Sequence, residues 1–245
     1  MRHPYKALVT GHSRGLGEAI ARALLARGIP VLGLSRVGNP ALVDAFDSLL
    51  VQVALDLSNP AALQAWLASD GLAVFGADAE GLLLVNNAGS LGPVAPPGRQ
   101  DAAALVQAVN LNVSAPLLLC DGVMRLGCPQ VRIAHVSSGA ARTAYPGWSV
   151  YGATKAALDH HARAVQQDAP PGLRISSVAP GVVDTAMQTA VRASHAQDFP
   201  RLERFMALKA EGRLSTPEDA ARRLVAHLLS DAFGAEPVVD VRELG

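Results

Sequence analysis

Short apolar runs rich in Val, Ile and Leu alternate with longer segments of helical period, and this rhythm constrains the fold more than any other feature. Runs without polar alternation suit strands covered on both faces, as in a parallel sheet whose strands are joined by helical crossovers. The expectation is an α/β chain, a doubly wound parallel sheet of about seven strands flanked by helices. The strands are placed near residues 5–10, 30–35, 50–55, 82–86, 131–137, 173–178 and 237–240.

The first helix is expected near Leu16, where Leu16, Ile20, Ala23 and Leu24 make one apolar stripe, and Gly28 is expected to end it. Ser58-Asn59-Pro60 and Thr216-Pro217 each set a capping side chain ahead of a proline, a helix-start signal. No repeat or composition break divides the chain, so residues 1–245 read as one domain, with Ser90 to Gly98 as a loop. The stretch 185–212 breaks the strand–helix rhythm at the carboxyl ends of the strands and is expected to be a substrate lid.

Bulk properties exclude several classes. Half of the residues are hydrophobic, which supports a large core, and 21 Lys+Arg balance 21 Asp+Glu. A neutral chain offers no global field for nucleic acid or an anionic membrane, which leaves small-molecule chemistry. Cys120 and Cys128 read as ordinary thiols in a reducing compartment. Ala7-Leu8-Val9 is too short for a signal-peptide core, and no window is expected to approach a membrane-spanning run, so the expected location is the cytoplasm.

Between the first strand and first helix lies Thr10-Gly11-His12-Ser13-Arg14-Gly15-Leu16-Gly17. Glycines at such a turn let the backbone approach a dinucleotide pyrophosphate at the helix N-terminus. The spacing is Gly-x3-Gly-x-Gly. Arg14 in this turn and Arg36 beyond the second strand suit a 2′-phosphate, and no Asp or Glu occurs between Val31 and Asp44 to bind a free 2′-hydroxyl, so NADP(H) is expected over NAD(H). The alternative for Arg36 is a solvated strand-end residue.

These residues, together with Asn86-Asn87-Ala88-Gly89 and Tyr151-Gly152-Ala153-Thr154-Lys155, resemble the short-chain dehydrogenase/reductase family over essentially the whole chain. The resemblance implies a single Rossmann-type domain, a nicotinamide cofactor and four catalytic positions. Serine thirteen residues before the tyrosine selects Ser138, leaving Ser137 as structural, and Asn112-Val113-Ser114 fits the family's asparagine better than Asn110 does. The i, i+4 spacing sets Tyr151 and Lys155 on one helix face, where an ammonium would lower the phenol's pKa toward the working pH. Tyr151 is then the general acid, Ser138 orients the carbonyl, Asn112 holds a relay water and Lys155 also binds the nicotinamide ribose.

The resemblance extends to cofactor contacts at Gly11, Ser13, Arg14, Gly15, Leu16, Gly17, Arg36, Asp56, Leu57, Asn87, Ala88, Gly89, Tyr151, Lys155, Pro180, Gly181, Val183 and Thr185. Asp56 has a second reading as the cap of the following turn. Shorter matches, Asn87 to Gly92, Gly147-Trp148 and Val183 to Gln188, are similar to the sepiapterin reductase and benzil reductase subgroup. Ser138, Trp148 and Tyr151 are the expected substrate contacts, with Trp148 either an aromatic wall or core packing. Asp240 and Glu243 both remain open as a terminal substrate anchor.

The function implied is an NADPH-dependent carbonyl reductase transferring hydride to an activated ketone, a 1,2-diketone or a pterin side chain. An NAD(P)-dependent alcohol dehydrogenase and a non-catalytic NADP(H) sensor are the alternatives. His12 is expected to position backbone, and no His-x3-His or Cys-x2-Cys spacing occurs, so no metal is expected. Ala- and Leu-rich helices near 101–126 and 150–167, with the family resemblance, imply a homodimer or homotetramer.

Overall fold

The computed structural model describes residues 4–244. Seven strands, β1 (Tyr5–Thr10), β2 (Val31–Ser35), β3 (Leu50–Ala54), β4 (Gly81–Asn86), β5 (Gln130–Val136), β6 (Leu173–Ala179) and β7 (Val238–Asp240), form one parallel sheet in the order β3-β2-β1-β4-β5-β6-β7. This is the expected Rossmann-type arrangement, and the strand positions agree within a residue or two. β5 stops at Val136, so Ser137 and Ser138 lie just past the strand end, with the Ser137 N–H still donating to the Val178 carbonyl of β6 at 2.9 Å.

Alternation along the strands sorts the core into two layers. Ala7 and Val9, Ala134 and Val136 face α1 (Gly15–Leu25) and α10 (Pro217–Leu229), while Leu8, Val131 and Ile133 face the other layer. That second layer holds α3 (Pro60–Leu67), α6 (Ala115–Met124) and α7 (Ser149–Asp168), which contribute Leu63, Leu119 and Ala162. Central β4 is buried at every position, as its run Leu82-Leu83-Leu84-Val85 requires.

Local signals set the helix ends. Asn59 accepts from the Ala62 N–H at 3.2 Å and Thr216 from Asp219 at 3.1 Å, each with proline at the first helical position. The remaining helices are α2 (Pro40–Phe46), α4 (Gly71–Gly76), α5 (Ala102–Val109), α8 (Ala186–Arg192) and α9 (Leu202–Ala210). Between α5 and α6, residues Asn110–Ser114 widen into a π-turn, so Ala102–Met124 runs as one helical stretch of 23 residues, within which an 18-residue window has a mean hydropathy of 1.6.

That stretch corrects the expectation about membrane-length windows, since it is long and apolar enough to cross a membrane by length and composition. Burial accounts for part of that character: Ala115, Leu119 and Val123 of α6 are buried in the layer beneath it, while Val106 and Val109 of α5 are exposed. The topology reverses between β1 and β4, which opens a crevice at their carboxyl ends. Thr10-Gly11 and Asn86-Asn87 meet there.

Candidate active site

Thr10 ties the two sides of the crevice together. Its hydroxyl accepts hydrogen bonds from the Asn87 and Ala88 N–H groups, both at 2.9 Å, and the Asn87 amide donates to the Thr10 carbonyl at 2.9 Å. Gly11 and Gly15 take φ of +70° and +57°, the region that favours glycine. A Cβ on Gly17 would lie 2.1 Å from the Gly11 carbonyl oxygen, so the turn and the helix touch backbone to backbone. Arg14, at the N-cap of α1, gives no side-chain capping bond, which leaves the first-turn N–H groups facing the crevice as an anion cradle.

His12 is fully buried behind this turn, bonded to Gln52 at 2.7 Å and to Ser35 at 3.3 Å. Gln52 also accepts from the Asn39 N–H, and Asn39 donates to the Ser13 carbonyl at 3.1 Å. His12 thus anchors the turn to β2 and β3, as expected of a positioning residue. Gly33 makes room for it: a Cβ there would sit 2.4 Å from the imidazole.

The four catalytic candidates come from three elements. Ser138 follows β5 and caps a short 3₁₀ turn, accepting from the Ala140 N–H at 3.2 Å. Tyr151 and Lys155 lie on the buried face of α7, with the Lys155 Nζ 5.8 Å from the Tyr151 ring centre. Asn112 sits in the π-turn, fully buried, donating to the Ser90 carbonyl at 2.8 Å and the Thr154 hydroxyl at 3.0 Å and accepting from the Ser90 N–H at 2.9 Å. Such one-turn bulges are a common way to re-aim a functional side chain. Asn110 points elsewhere, donating to the Ser58 carbonyl.

Gly89 shows that these groups converge: a Cβ there would lie 3.3 Å from the Asn112 Oδ1 and 3.5 Å from the Lys155 Nζ. Their protonation reflects burial. The Tyr151 phenol is pushed above its ordinary range by desolvation, with its hydrogen bond to Ser138 opposing. This reverses the expected direction, because the Lys155 ammonium donates to the Val136 carbonyl at 2.7 Å and burial of the phenol outweighs a cation turned away from it. Burial likewise lowers Lys155 to about 8, against the Asp159 carboxylate, which holds it up.

A serine, tyrosine and lysine thus gather with an asparagine at the mouth of a glycine-lined dinucleotide crevice. Residues 5–196 also match the family model for the short chain dehydrogenase. The chain belongs to the short-chain dehydrogenase family. Members of this oxidoreductase family bind a nicotinamide cofactor, and the crevice fits one on the observations above: the uncapped α1 N-terminus, the Gly17 contact that excludes any side chain, and the Gly89 gap beside Lys155.

This short-chain dehydrogenase is 32% identical to a benzil reductase ((S)-benzoin forming) of Bacillus cereus, over 96% of this chain and 98% of that protein. It is 30% identical to the sepiapterin reductase of Rattus norvegicus, over 97% and 96%. Among solved structures, a short-chain dehydrogenase/reductase from Burkholderia vietnamiensis shares 46% identity over 100% of both chains, with a TM-score of 0.73. The chain therefore falls with the carbonyl-reducing members, in the benzil and sepiapterin reductase subgroup.

Other candidates land around the same crevice. Val183 pairs with Ser215 in an isolated bridge, and the Thr185 methyl lies 3.5 Å from where a Gly15 Cβ would be, so the Pro180–Thr185 segment borders the phosphate turn. Gly181 has a φ of +78°. Leu57 is buried, whereas Asp56 accepts from the Ser58 N–H and hydroxyl at 2.9 and 2.7 Å, the capping reading, with Arg36 near enough to help hold its carboxyl low. Arg14 and Arg36 are exposed, and neither forms a salt bridge among the described residues.

Trp148 takes the packing role of its two readings. It is 5% exposed and stacks on Phe199 at 4.6 Å and 16°, with Tyr151 edge-on at 5.4 Å, so no open aromatic wall is presented. Asp240 is likewise engaged: Arg242 donates to it at 2.9 and 2.6 Å. Sequence reasoning missed Asp159, which accepts from Ser137 and Ser177 at 2.6 and 2.7 Å beneath Lys155. Its i+4 spacing from Lys155 was the available signal.

Proposed function

We propose that this protein is an NADPH-dependent reductase of activated ketones, of the 1,2-diketone or pterin side-chain type, with Tyr151 as general acid. The observation that carries the reading is the convergence of buried Tyr151, Lys155 and the Asn112 hub at the crevice, with half-buried Ser138 close enough to Tyr151 to hold down its phenol's pKa against burial. The nicotinamide cofactor supplies hydride when bound. Tyr151, protonated at neutral pH because burial raises its pKa, gives its proton to the carbonyl oxygen. Ser138 donates to that oxygen and steadies the charge developing on it. Asn112 holds the Ser90 loop and would hold a relay water, and Lys155 would also bind the ribose hydroxyls of the cofactor. The names of the 32%-identical benzil reductase and the 30%-identical sepiapterin reductase support the substrate class.

NADPH oxidation with benzil, other 1,2-diketones, sepiapterin and simple aldehydes tests the reading. Turnover of the diketones or sepiapterin well above the aldehydes supports it, and no oxidation with any of them sinks it. Arg14 and Arg36, exposed and without a salt bridge among the described residues, are the 2′-phosphate ligands in this proposal. Arg36→Ala is expected to weaken NADPH use by roughly tenfold to a hundredfold, the worth of one charged hydrogen bond, and to spare NADH. An equal loss with both coenzymes in steady-state kinetics counts against the assignment.

Lys155 brings a pH dependence with a definite sign. With its pKa near 8, the ammonium is present below that value and lost above it, so coenzyme affinity falls as pH rises through about 8. Asp159→Asn removes the charge that holds the value up and is expected to move this fall to lower pH. Fluorescence titration of NADPH across pH 6.5 to 10 gives the readout, and a pH-independent affinity contradicts it.

The segment 185–212 acts as the lid in this reading. Phe199, Phe205 and Val191 close onto Trp148, and the Asp198 carbonyl is so near Gly147 that a Cβ there would meet it at 2.0 Å. A homo-oligomer in the cytoplasm completes the proposal, joined along α5 and α7, where Val106 and Val109 are exposed beside an apolar groove of about 400 Å³ lined by Leu105, Val113 and Val150. Light scattering that shows a monomer at micromolar concentration refutes the assembly.

A further inference from the structure

Three ligand-type side chains that the reduction leaves unused meet on the α6–α7 side of β5. The Cys120 Sγ, on α6, is 3.9 Å from the His135 Nε2 of β5, which is 3.1 Å from the His161 Nδ1 of α7. All three atoms lie within 4.8 Å of one another. Cys120 and His135 are buried and His161 is half-buried, giving the cluster a closed floor and one side toward solvent.

We propose that Cys120, His135 and His161 bind one thiophilic d¹⁰ cation, zinc(II) or copper(I). The separations fit: a point equidistant from the three atoms lies about 2.4 Å or less from each, close to the ~2.0–2.3 Å of metal–nitrogen and metal–sulfur bonds. One thiolate and two imidazoles are the ligand set such ions prefer over hard oxygen-seeking cations.

A second observation comes from Asn86. It is 2% exposed, its amide nitrogen is 3.2 Å from the His135 Nδ1, and its Oδ1 is buried without a hydrogen-bond partner. Turning the amide over sets Oδ1 against His135 as acceptor of an Nδ1–H bond and leaves the Nε2 lone pair facing Cys120 and His161; it gives up the amide nitrogen's two long contacts, to the Pro116 carbonyl at 3.5 Å and the Cys120 Sγ at 4.0 Å. That arrangement is the usual outer partner of a metal-bound histidine. His161 then carries its proton on Nε2 and offers Nδ1.

Proton bookkeeping closes simply. The Cys120 S–H bond breaks, a metal–sulfur bond forms, and the proton passes to the buffer, while both imidazoles stay neutral. A copper(I) complex is then uncharged, and a zinc(II) complex carries one positive charge for a solvent-side anion or hydroxide to balance. The ion would join β5, α6 and α7 directly behind Val136, whose carbonyl holds Lys155. Cys120 and His135 are separated by 15 positions and His135 and His161 by 26, so no local motif announces the set.

Untagged, chelator-stripped enzyme titrated with Zn²⁺ against a chromophoric chelator, and separately with Cu⁺ under anaerobic conditions, tests the proposal. Co²⁺ serves as a spectroscopic probe of thiolate ligation. One equivalent per chain in either arm, a thiolate-to-cobalt charge-transfer band and a raised Tm are expected, and the arm that saturates identifies the ion. Cys120→Ser and His161→Gln are expected to lose this binding, while His160→Gln, at the exposed neighbouring position, keeps it. His161→Gln alters a half-buried side chain, so it stays informative if Cys120→Ser fails to fold by circular dichroism. No saturable uptake by the wild type, or uptake unchanged in His161→Gln, overturns the site.

Discussion

Tyr151→Phe is expected to lower kcat for ketone reduction by about 10²- to 10⁴-fold, the range set by losing a positioned proton donor, with NADPH affinity little changed. The variant removes a single oxygen. The Phe ring keeps the edge-on contact with Trp148 at 5.4 Å and the packing under Phe199 and Phe205, so the segment carrying those two rings has no reason to move. What disappears is the hydroxyl paired with Ser138. Because burial holds the phenol above its ordinary pKa, nearly every molecule carries the acid form at neutral pH, and the loss falls on proton transfer and not on a minor protonation state. Ser138→Ala is expected to cost less, about 10²- to 10³-fold, since it removes one donor to the developing charge and leaves the acid in place. Single-turnover kinetics with saturating NADPH separate these effects from binding. An unaltered rate in Tyr151→Phe would end the mechanism.

The layers of the fold were legible because they rest on local patterns. Runs such as Leu82-Leu83-Leu84-Val85 have one physical outcome, a strand buried on both faces, and Asn59-Pro60 and Thr216-Pro217 fix helix starts through bonds only a few residues long. Spacing also carried the Tyr151–Lys155 pair, because i and i+4 share a helix face whatever surrounds them. Features that depend on what a side chain meets across the sheet were not legible. The pKa direction of Tyr151 turned on desolvation and on the Val136 carbonyl capturing Lys155, neither of which spacing encodes. Trp148 faced two readings until Phe199, 51 positions away, was seen stacked on it. The apolar residues of α6 became intelligible only with the sheet beneath them.

Gly17→Ala sets two physical effects against each other, and their magnitudes predict the winner. Intrinsic propensity favours alanine within a helix by about 1 kcal/mol, which on its own predicts a more stable protein. The added Cβ, however, would lie 2.1 Å from the Gly11 carbonyl oxygen and 2.4 Å from the Asn87 amide nitrogen. Overpacking of this kind costs about 1–3 kcal/mol where side chains can yield, and here the nearest atom is backbone, held at a φ of +70° by the turn itself. Relief requires α1 to back away from β1, which breaks the Asn87 bonds to the Thr10 and Gly11 carbonyls and carries the first-turn N–H groups off the phosphates. The expected result is a lower Tm together with NADPH affinity weakened by more than about tenfold, the equivalent of 1.4 kcal/mol. Gly28→Ala supplies the contrast. A Cβ there meets nothing within 4 Å, but the φ of +74° is strained for any L side chain, so it should lower Tm by the cost of about 1–2 kcal/mol and leave coenzyme affinity intact. Calorimetric titration with thermal melts on both variants decides the matter: if Gly17→Ala binds NADPH as the wild type does, the close turn-to-helix contact is not what shapes the phosphate site.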